Sequence, residues 1–311
     1  MSTNTILYVT NYFVPYPTSA QMAEYEAWAA DLGSSGFTTL MFYNMHIDAS
    51  GNFRYTNASY PFVADGRVQE GYAYLQGLLA SITAAGSVTN ILFVLGGWGV
   101  ESDYLHAGQL LGRYGSSPDS PLVRNFVALQ GIGVTGIDMD LEPGAAGAYG
   151  FIPYSYFGAA VVQLTTLLRN LALRVTYCPY EQTQFWIDCL AASYGFNNVQ
   201  PVSWLNLQCY SGGTGNTQAQ WVAALNQSGT PLGISDTDAF VVPGYSPAET
   251  CPAALQATFA DSSQMTSGVA GGFLYGYQNI QQNQQQNLCP GNNSTADYAK
   301  AIAAGIASLQ G

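Results

Sequence analysis

The chain predicts a single (β/α)8 barrel spanning residues 1–311, and three observations carry that expectation. Eight strand-like runs alternate with helical or loop stretches over the 311 residues, which is the spacing of βα units around a closed parallel sheet. The length exceeds that of most single domains yet is ordinary for an α/β barrel, whereas a doubly wound sheet would use fewer strands. A cluster of acids also falls at the end of the fourth run, and barrels of this kind build their sites at the C-terminal ends of their strands.

The strands are expected near Ile6–Asn11, Thr38–Asn44, Asn90–Gly96, Thr135–Glu142, Leu173–Cys178, Ser203–Tyr210, Ala239–Pro243 and Gly271–Tyr277. Between them, apolar residues at helical spacing predict helices over Ala20–Leu32, Gln69–Ala84, Pro121–Gln130, Tyr156–Leu171, Gln218–Leu225, Ala253–Gln264 and Ala296–Leu309. Ser294 and Asp297 form an S-x-x-D pattern ahead of the last helix, an N-cap signal. Gln278–Asn287 is polar and of low complexity, and reads as a loop after the eighth strand. No internal repeat or interdomain linker is visible.

Composition narrows the partners. Apolar residues make up 48% of the chain and aromatics 13%, enough for a substantial core. The net charge is −12, from 19 acids against 7 basic residues, and Lys300 is the only lysine. Without a basic stripe the chain is not expected to bind nucleic acid or an anionic membrane surface. It has no apolar run of 18 residues to span a bilayer. Its polarity comes instead from Tyr, Asn, Gln, Ser, Thr and Gly, which suits neutral, hydroxyl-rich ligands. The N-terminus lacks the charged and apolar regions of a signal peptide, so either the protein stays inside the cell or a mature extracellular chain carries a new start Met. Five cysteines have neither zinc-ligand spacing nor disulfide-scaffold density; Cys251 and Cys289 could pair beside the last two strands.

Residues 136–142, Gly-Ile-Asp-Met-Asp-Leu-Glu, hold the chemistry. Side chains alternate along a strand, so Asp138, Asp140 and Glu142 share one face while Ile137, Met139 and Leu141 pack under the helices. Three stacked carboxylates cannot all be ionised cheaply; mutual repulsion and desolvation raise their pKa values and hold a proton near neutral pH, as a general acid requires. A strand with one wet face would show the same alternation. With only 8% of residues charged, three acids within five positions argue for a site. Residues at the other strand ends would surround it: Tyr43, Gly97 and Trp98, Tyr177 and Tyr180-Glu181, Gln208 and Tyr210, and Tyr275 and Tyr277. Flat rings around an acidic centre suit a sugar, whose apolar face stacks on them.

Other motifs carry less. Gly131-Ile-Gly133-Val-Thr-Gly136 matches the dinucleotide fingerprint but runs from a helix into a strand, the wrong order for binding pyrophosphate, and reads as a tight αβ loop. His46 and His106, the only histidines, sit in no metal-binding spacing, and no G-x-S-x-G elbow is present. A row of stacked carboxylates offers poor encircling geometry for a hard cation, and neither metal nor cofactor is expected.

The chain resembles glycoside hydrolase family 18, the chitinases and endo-β-N-acetylglucosaminidases, whose fourth strand ends in D-x-x-D-x-D-x-E. Thr135 to Glu142 match three of the four acids, with Thr135 in place of the first. Gly96-Gly97 match the glycines that end the family's third strand. Trp204, Gln208 and Tyr210 match strand six of its compact, hevamine-like branch, while Tyr275 stands where the family places a Trp. The resemblance implies substrate-assisted, retaining hydrolysis of β-1,4-linked N-acetylglucosamine polymers by a monomeric extracellular enzyme. Glu142 would be the general acid. Asp140 would orient the substrate's acetamide and share a proton with Asp138 beneath it. Tyr210 and Gln208 would hold the acetamide oxygen, and Tyr275 would stack under the distorted sugar. Loss of the first acid to Thr135 would weaken the support below this pair. Cleavage of the N-glycan core is an alternative with the same chemistry. A lectin that binds without cutting is another, although such relatives typically lose the acid that Glu142 supplies.

Overall fold

A computed structural model describes residues 3–56, 58–143, 153–195, 198–289, 291 and 293–310. Eight parallel strands close into a barrel: β1 (Asn4–Val9), β2 (Thr39–Ile47), β3 (Asn90–Trp98), β4 (Gly136–Glu142), β5 (Arg174–Tyr177), β6 (Val202–Gln208), β7 (Val241–Tyr245) and β8 (Gly271–Tyr275). The sheet closes because β1 pairs with both β8 and β2, Tyr8 lying beside Tyr275 on one side and Met41 on the other. The described helices are α1 (Ser19–Ser34), α2 (Leu75–Ala84), α3 (Ser102–Tyr114), α4 (Pro121–Gly131), α5 (Gly158–Asn170), α6 (Thr183–Gly195), α7 (Gln218–Asn226), α8 (Thr237–Phe240), α9 (Pro252–Phe259), α10 (Tyr277–Gln286) and α11 (Thr295–Gln310). A small antiparallel excursion, Phe53–Tyr55, Val63–Ala64 and Arg67–Val68, extends the sheet beyond β2.

All eight expected strands are present, with ends shifted by a few residues. The alternation along β4 sorts its side chains as expected. Ile137, Met139 and Leu141 join the large apolar layer between sheet and helices, while Asp138 and Asp140 face the barrel interior. That interior is a second, smaller cluster of Ile6, Tyr8, Met41, Leu92, Val94, Cys178, Trp204, Tyr210, Val242 and Phe273.

Three differences have local causes. Gln278–Asn287 is mostly helix α10 rather than a loop, because Tyr277, Ile280 and Asn283 make a narrow buried stripe at helical spacing inside an amide-rich sequence. Helix α3 carries Gly108 and Gly112, which blur its periodicity; an added Cβ at Gly108 would come within 3.2 Å of Ala160 on α5, so the glycine permits close packing of the two helices. Helix α6 escapes a pattern search because apolar residues occur on several of its faces. Gly131–Gly136 does connect the end of α4 to the start of β4. Ser294 and Asp297 cap α11 reciprocally, each backbone N–H donating to the other's side chain.

Cys251, just before α9, and Cys289, after α10, form a disulfide. With a sequence separation of 38, chain-entropy arguments assign it about 4 kcal/mol of stabilisation. The double Cys251→Ser/Cys289→Ser variant is expected to melt several degrees lower in scanning calorimetry, and wild type should fall to the same value after reduction.

Candidate active site

The acids on β4 form a ladder from the dry interior to the mouth. Asp138 is fully buried, and its carboxylate accepts three hydrogen bonds: from Tyr8 Oη of β1 at 2.6 Å, Thr176 Oγ1 of β5 at 2.5 Å and Asn206 Nδ2 of β6 at 2.9 Å. Trp204 Nε1 donates to Asn206 Oδ1 at 2.8 Å, which turns the Asn206 amide nitrogen toward Asp138. Burial raises the pKa of Asp138, and these three donors pull it partly back.

Asp140, one step up, is also buried. Its pKa stands well above the usual carboxylate range, first through desolvation and then through the neighbouring charges of Glu142 and Asp138. It is hydrogen-bonded to Glu142, while Asp138 acts on it through charge. Cys178 hydrogen-bonds Asp140 from below and also receives the Tyr8 hydroxyl at 3.3 Å. Glu142 is only half-buried. Gln208 Nε2 donates to Glu142 Oε1 at 2.8 Å and lies 3.3 Å from Asp140 Oδ1, tying the pair together.

Above the acids lies a cleft of about 300 Å³, lined by Asp140, Glu142, Tyr43, Trp98, Gln208, Tyr210 and Tyr275 among others. Tyr210 and Tyr275 stack with centroids 5.3 Å apart and planes 12° from parallel, and Tyr43 meets Tyr275 edge-on, also at 5.3 Å. Trp98 pairs in register with Glu142 and is 67% exposed, leaving its indole free at the rim. Two glycines at the end of β3 are required by backbone and contact alike. Gly96 has φ 104°, and a Cβ there would strike the Asp140 carbonyl. Gly97 has φ 117°, and a Cβ there would strike the Tyr43 hydroxyl. Gly97 thus shapes the wall without contributing a side chain to it.

Ten of the thirteen expected residues converge on this ladder and cleft; Glu181 and Tyr277 lie outside its lining, and so does Tyr177. It is fully buried on the outer face of β5, packed on Trp186 with its hydroxyl 2.8 Å from Thr165. Asp138 lies beside Thr176 in the β4–β5 pairing, so Thr176 shares the inward face and Tyr177 must point out. The tyrosine that does reach the cleft from this side is Tyr180, just beyond β5. Thr135 also departs from expectation. It stands at the entrance of β4, exchanging hydrogen bonds with the backbone of Ile91, and does not touch Asp138. Tyr8, Thr176 and Asn206 were not expected, since each lies on another strand and carries no local signal. A larger hollow of about 810 Å³ lies between α5 and α6, with Pro143, the residue after Glu142, in its lining.

No protein-family model and no curated protein sequence matches the chain. Among solved structures it is similar to a glycoside hydrolase family 18 chitinase from Flavobacterium johnsoniae, with 10% identity over 98% of this chain and 94% of that one and a TM-score of 0.57. It is also similar to a mutant family 18 chitinase from Cycas revoluta in complex with (GlcNAc)4, at 13% identity, 98% coverage of both chains and a TM-score of 0.51. A chitinase-like agglutinin from Robinia pseudoacacia has 12% identity over 97% of this chain and all of that one, with a TM-score of 0.50. At such identities the likeness shows a shared barrel fold.

The proton on Asp140 has a consequence for stability. Above about pH 4, where an unfolded carboxyl ionises, the native state holds more protons than the unfolded chain. Stability therefore declines as pH rises from about 4 through the folded pKa of Asp140. Melting temperatures measured from pH 4 to 7 should fall less steeply for Asp140→Asn than for wild type; identical slopes would remove the shared proton.

Proposed function

We propose that the chain is a retaining glycosidase of the family 18 type that cleaves β-1,4-linked N-acetylglucosamine polymers internally, with the substrate's own acetamide as nucleophile. The observation that carries this reading is the Asp138–Asp140–Glu142 ladder, buried at its base, proton-sharing at its top, and facing a floor of stacked tyrosines. The barrel shared with chitinases supports it at the level of fold.

Each residue then has a defined task. A pyranose lies on Tyr275, with Trp98 and Tyr43 flanking it. Glu142, at the mouth, gives its proton to the glycosidic oxygen as the bond to C1 breaks. The acetamide oxygen closes on C1 from the opposite face, forming an oxazolinium ion. Asp140 accepts a hydrogen bond from the acetamide N–H and opposes the growing positive charge, while Tyr210 donates to the acetamide oxygen and holds its rotamer. Water then attacks C1, leaves its proton on Glu142 and opens the ring with retention. Asp138 supports Asp140 from below. Gln208, already bonded to Glu142, positions that carboxyl rather than the sugar.

The presence of Glu142 favours cleavage over binding alone, and the Cys251–Cys289 disulfide favours an extracellular setting. Glu142→Gln is expected to abolish hydrolysis of chitin oligosaccharides while oligosaccharide binding stays within about tenfold, because only the proton donor is lost. A variant retaining more than about a tenth of the wild-type rate would remove Glu142 from the acid role.

Tyr210→Phe removes a hydroxyl that has no hydrogen-bond partner among the described residues. The loss should fall on kcat, by roughly 10–10³-fold, with KM and melting temperature little changed. A destabilised variant of full specific activity would instead make Tyr210 part of the core.

A further inference from the structure

The proposed reaction leaves unused a groove of about 730 Å³ between α1 and α10, within the range of ligand sites. One wall is the amide row of α10, where Gln278, Gln282 and Gln285 recur at helical spacing on one face. The other is α1, which presents Glu24 and Trp28 one turn apart. Asn11, only 6% exposed, sits just beyond β1 at the base. Its Nδ2 donates to Gln281 Oε1 at 2.8 Å, and its Oδ1 is buried with no partner among the described residues. A buried amide held by one bond leaves its other polar atom unmatched at the base of the groove. At the rim Tyr12 is 58% exposed, a flat ring turned to water.

Amides that both donate and accept, beside the exposed Tyr12 ring, match a neutral ligand rich in hydroxyl and amide groups. Glu24 is the one charged side chain on the groove and no basic residue lines it, which disfavours phosphate, sulfate and anionic polymers. The groove opens at the same end of the barrel as the cleft. Asn11 lies two residues past the end of β1, and α10 begins two residues after Tyr275.

We infer that the α1–α10 groove is a second carbohydrate-binding site, which holds a stretch of neutral polysaccharide away from the bond being cut. The identity of that polymer as an N-acetylglucosamine chain rests on the proposed function of the cleft. The site would tether the enzyme to an insoluble polymer without taking part in cleavage.

The test compares wild type with Tyr12→Ala/Gln285→Ala in retention on chitin beads, cleavage of soluble chitotetraose and melting temperature. The expected result is bead affinity weakened by about tenfold, from the lost stacked ring and amide, with unchanged tetramer kcat/KM and melting temperature. Should Tyr12→Ala lower the melting temperature, Gln278→Ala/Gln285→Ala, both on the exposed helix face, gives the same readout with a smaller loss. Unchanged bead affinity in a folded variant overturns the inference. So does an equal loss on beads and tetramer, which would make the groove an extension of the cleft. If wild type fails to cleave the tetramer, the reading of the cleft falls; the groove is then judged on chitin, cellulose and starch beads, where equal retention of wild type and variant on all three overturns it and selective loss on any one supports it.

Discussion

The burial of Asp138 is the constraint on which the rest of this barrel depends. An ionised carboxylate removed from water is tolerated only if its lone pairs are matched, and leaving such a group unmatched costs about 3–5 kcal/mol. Here the match comes from three different strands, through Tyr8, Thr176 and Asn206. Behind them, Trp204 orients Asn206, and the Arg174 guanidinium lies 5.2 Å over the Trp204 ring. A polar network thus crosses an otherwise apolar interior, and every member has a directional reason for its place.

Moving outward along β4, the solvent changes and the chemistry changes with it. At Asp138 the protein supplies three donors, which offset part of the rise in pKa that burial imposes. At Asp140 the shell is incomplete and a second carboxyl is close, so a proton becomes the cheapest counter-charge. At Glu142 water and the cleft are within reach. Spacing every second residue on one strand places the three carboxyls in graded surroundings, from the dry interior to the cleft.

Much of the fold is legible in the sequence because strand periodicity and barrel geometry agree: Ile137, Met139 and Leu141 predict their own burial, and with it the direction of the three acids. Residues adjacent in sequence to that motif, or carried at the same strand ends, are found the same way, as Gly97, Gln208, Tyr210 and Tyr275 show. What escapes is information held in the register between strands. Choosing between Tyr177 and Tyr180 requires knowing which β5 residue lies beside Asp138, and no local pattern encodes that pairing. Tyr8 and Asn206 are invisible for the same reason, being 130 and 68 residues from the carboxylate they serve. Helix α10 escapes differently: three buried positions in ten are too few to outweigh the composition of the rest.

Tyr8 belongs to β1, the strand whose pairing with β8 and β2 closes the barrel. Without that seam Asp138 would have two of its three donors and a side open to water. Closure removes the water and must supply the missing hydroxyl in the same step. If β1 entered one residue out of register, Leu7 or Val9 would face the carboxylate in place of Tyr8, and the finished barrel would enclose an unanswered charge. The acid at the base of the ladder therefore penalises a misaligned seam in the closed barrel.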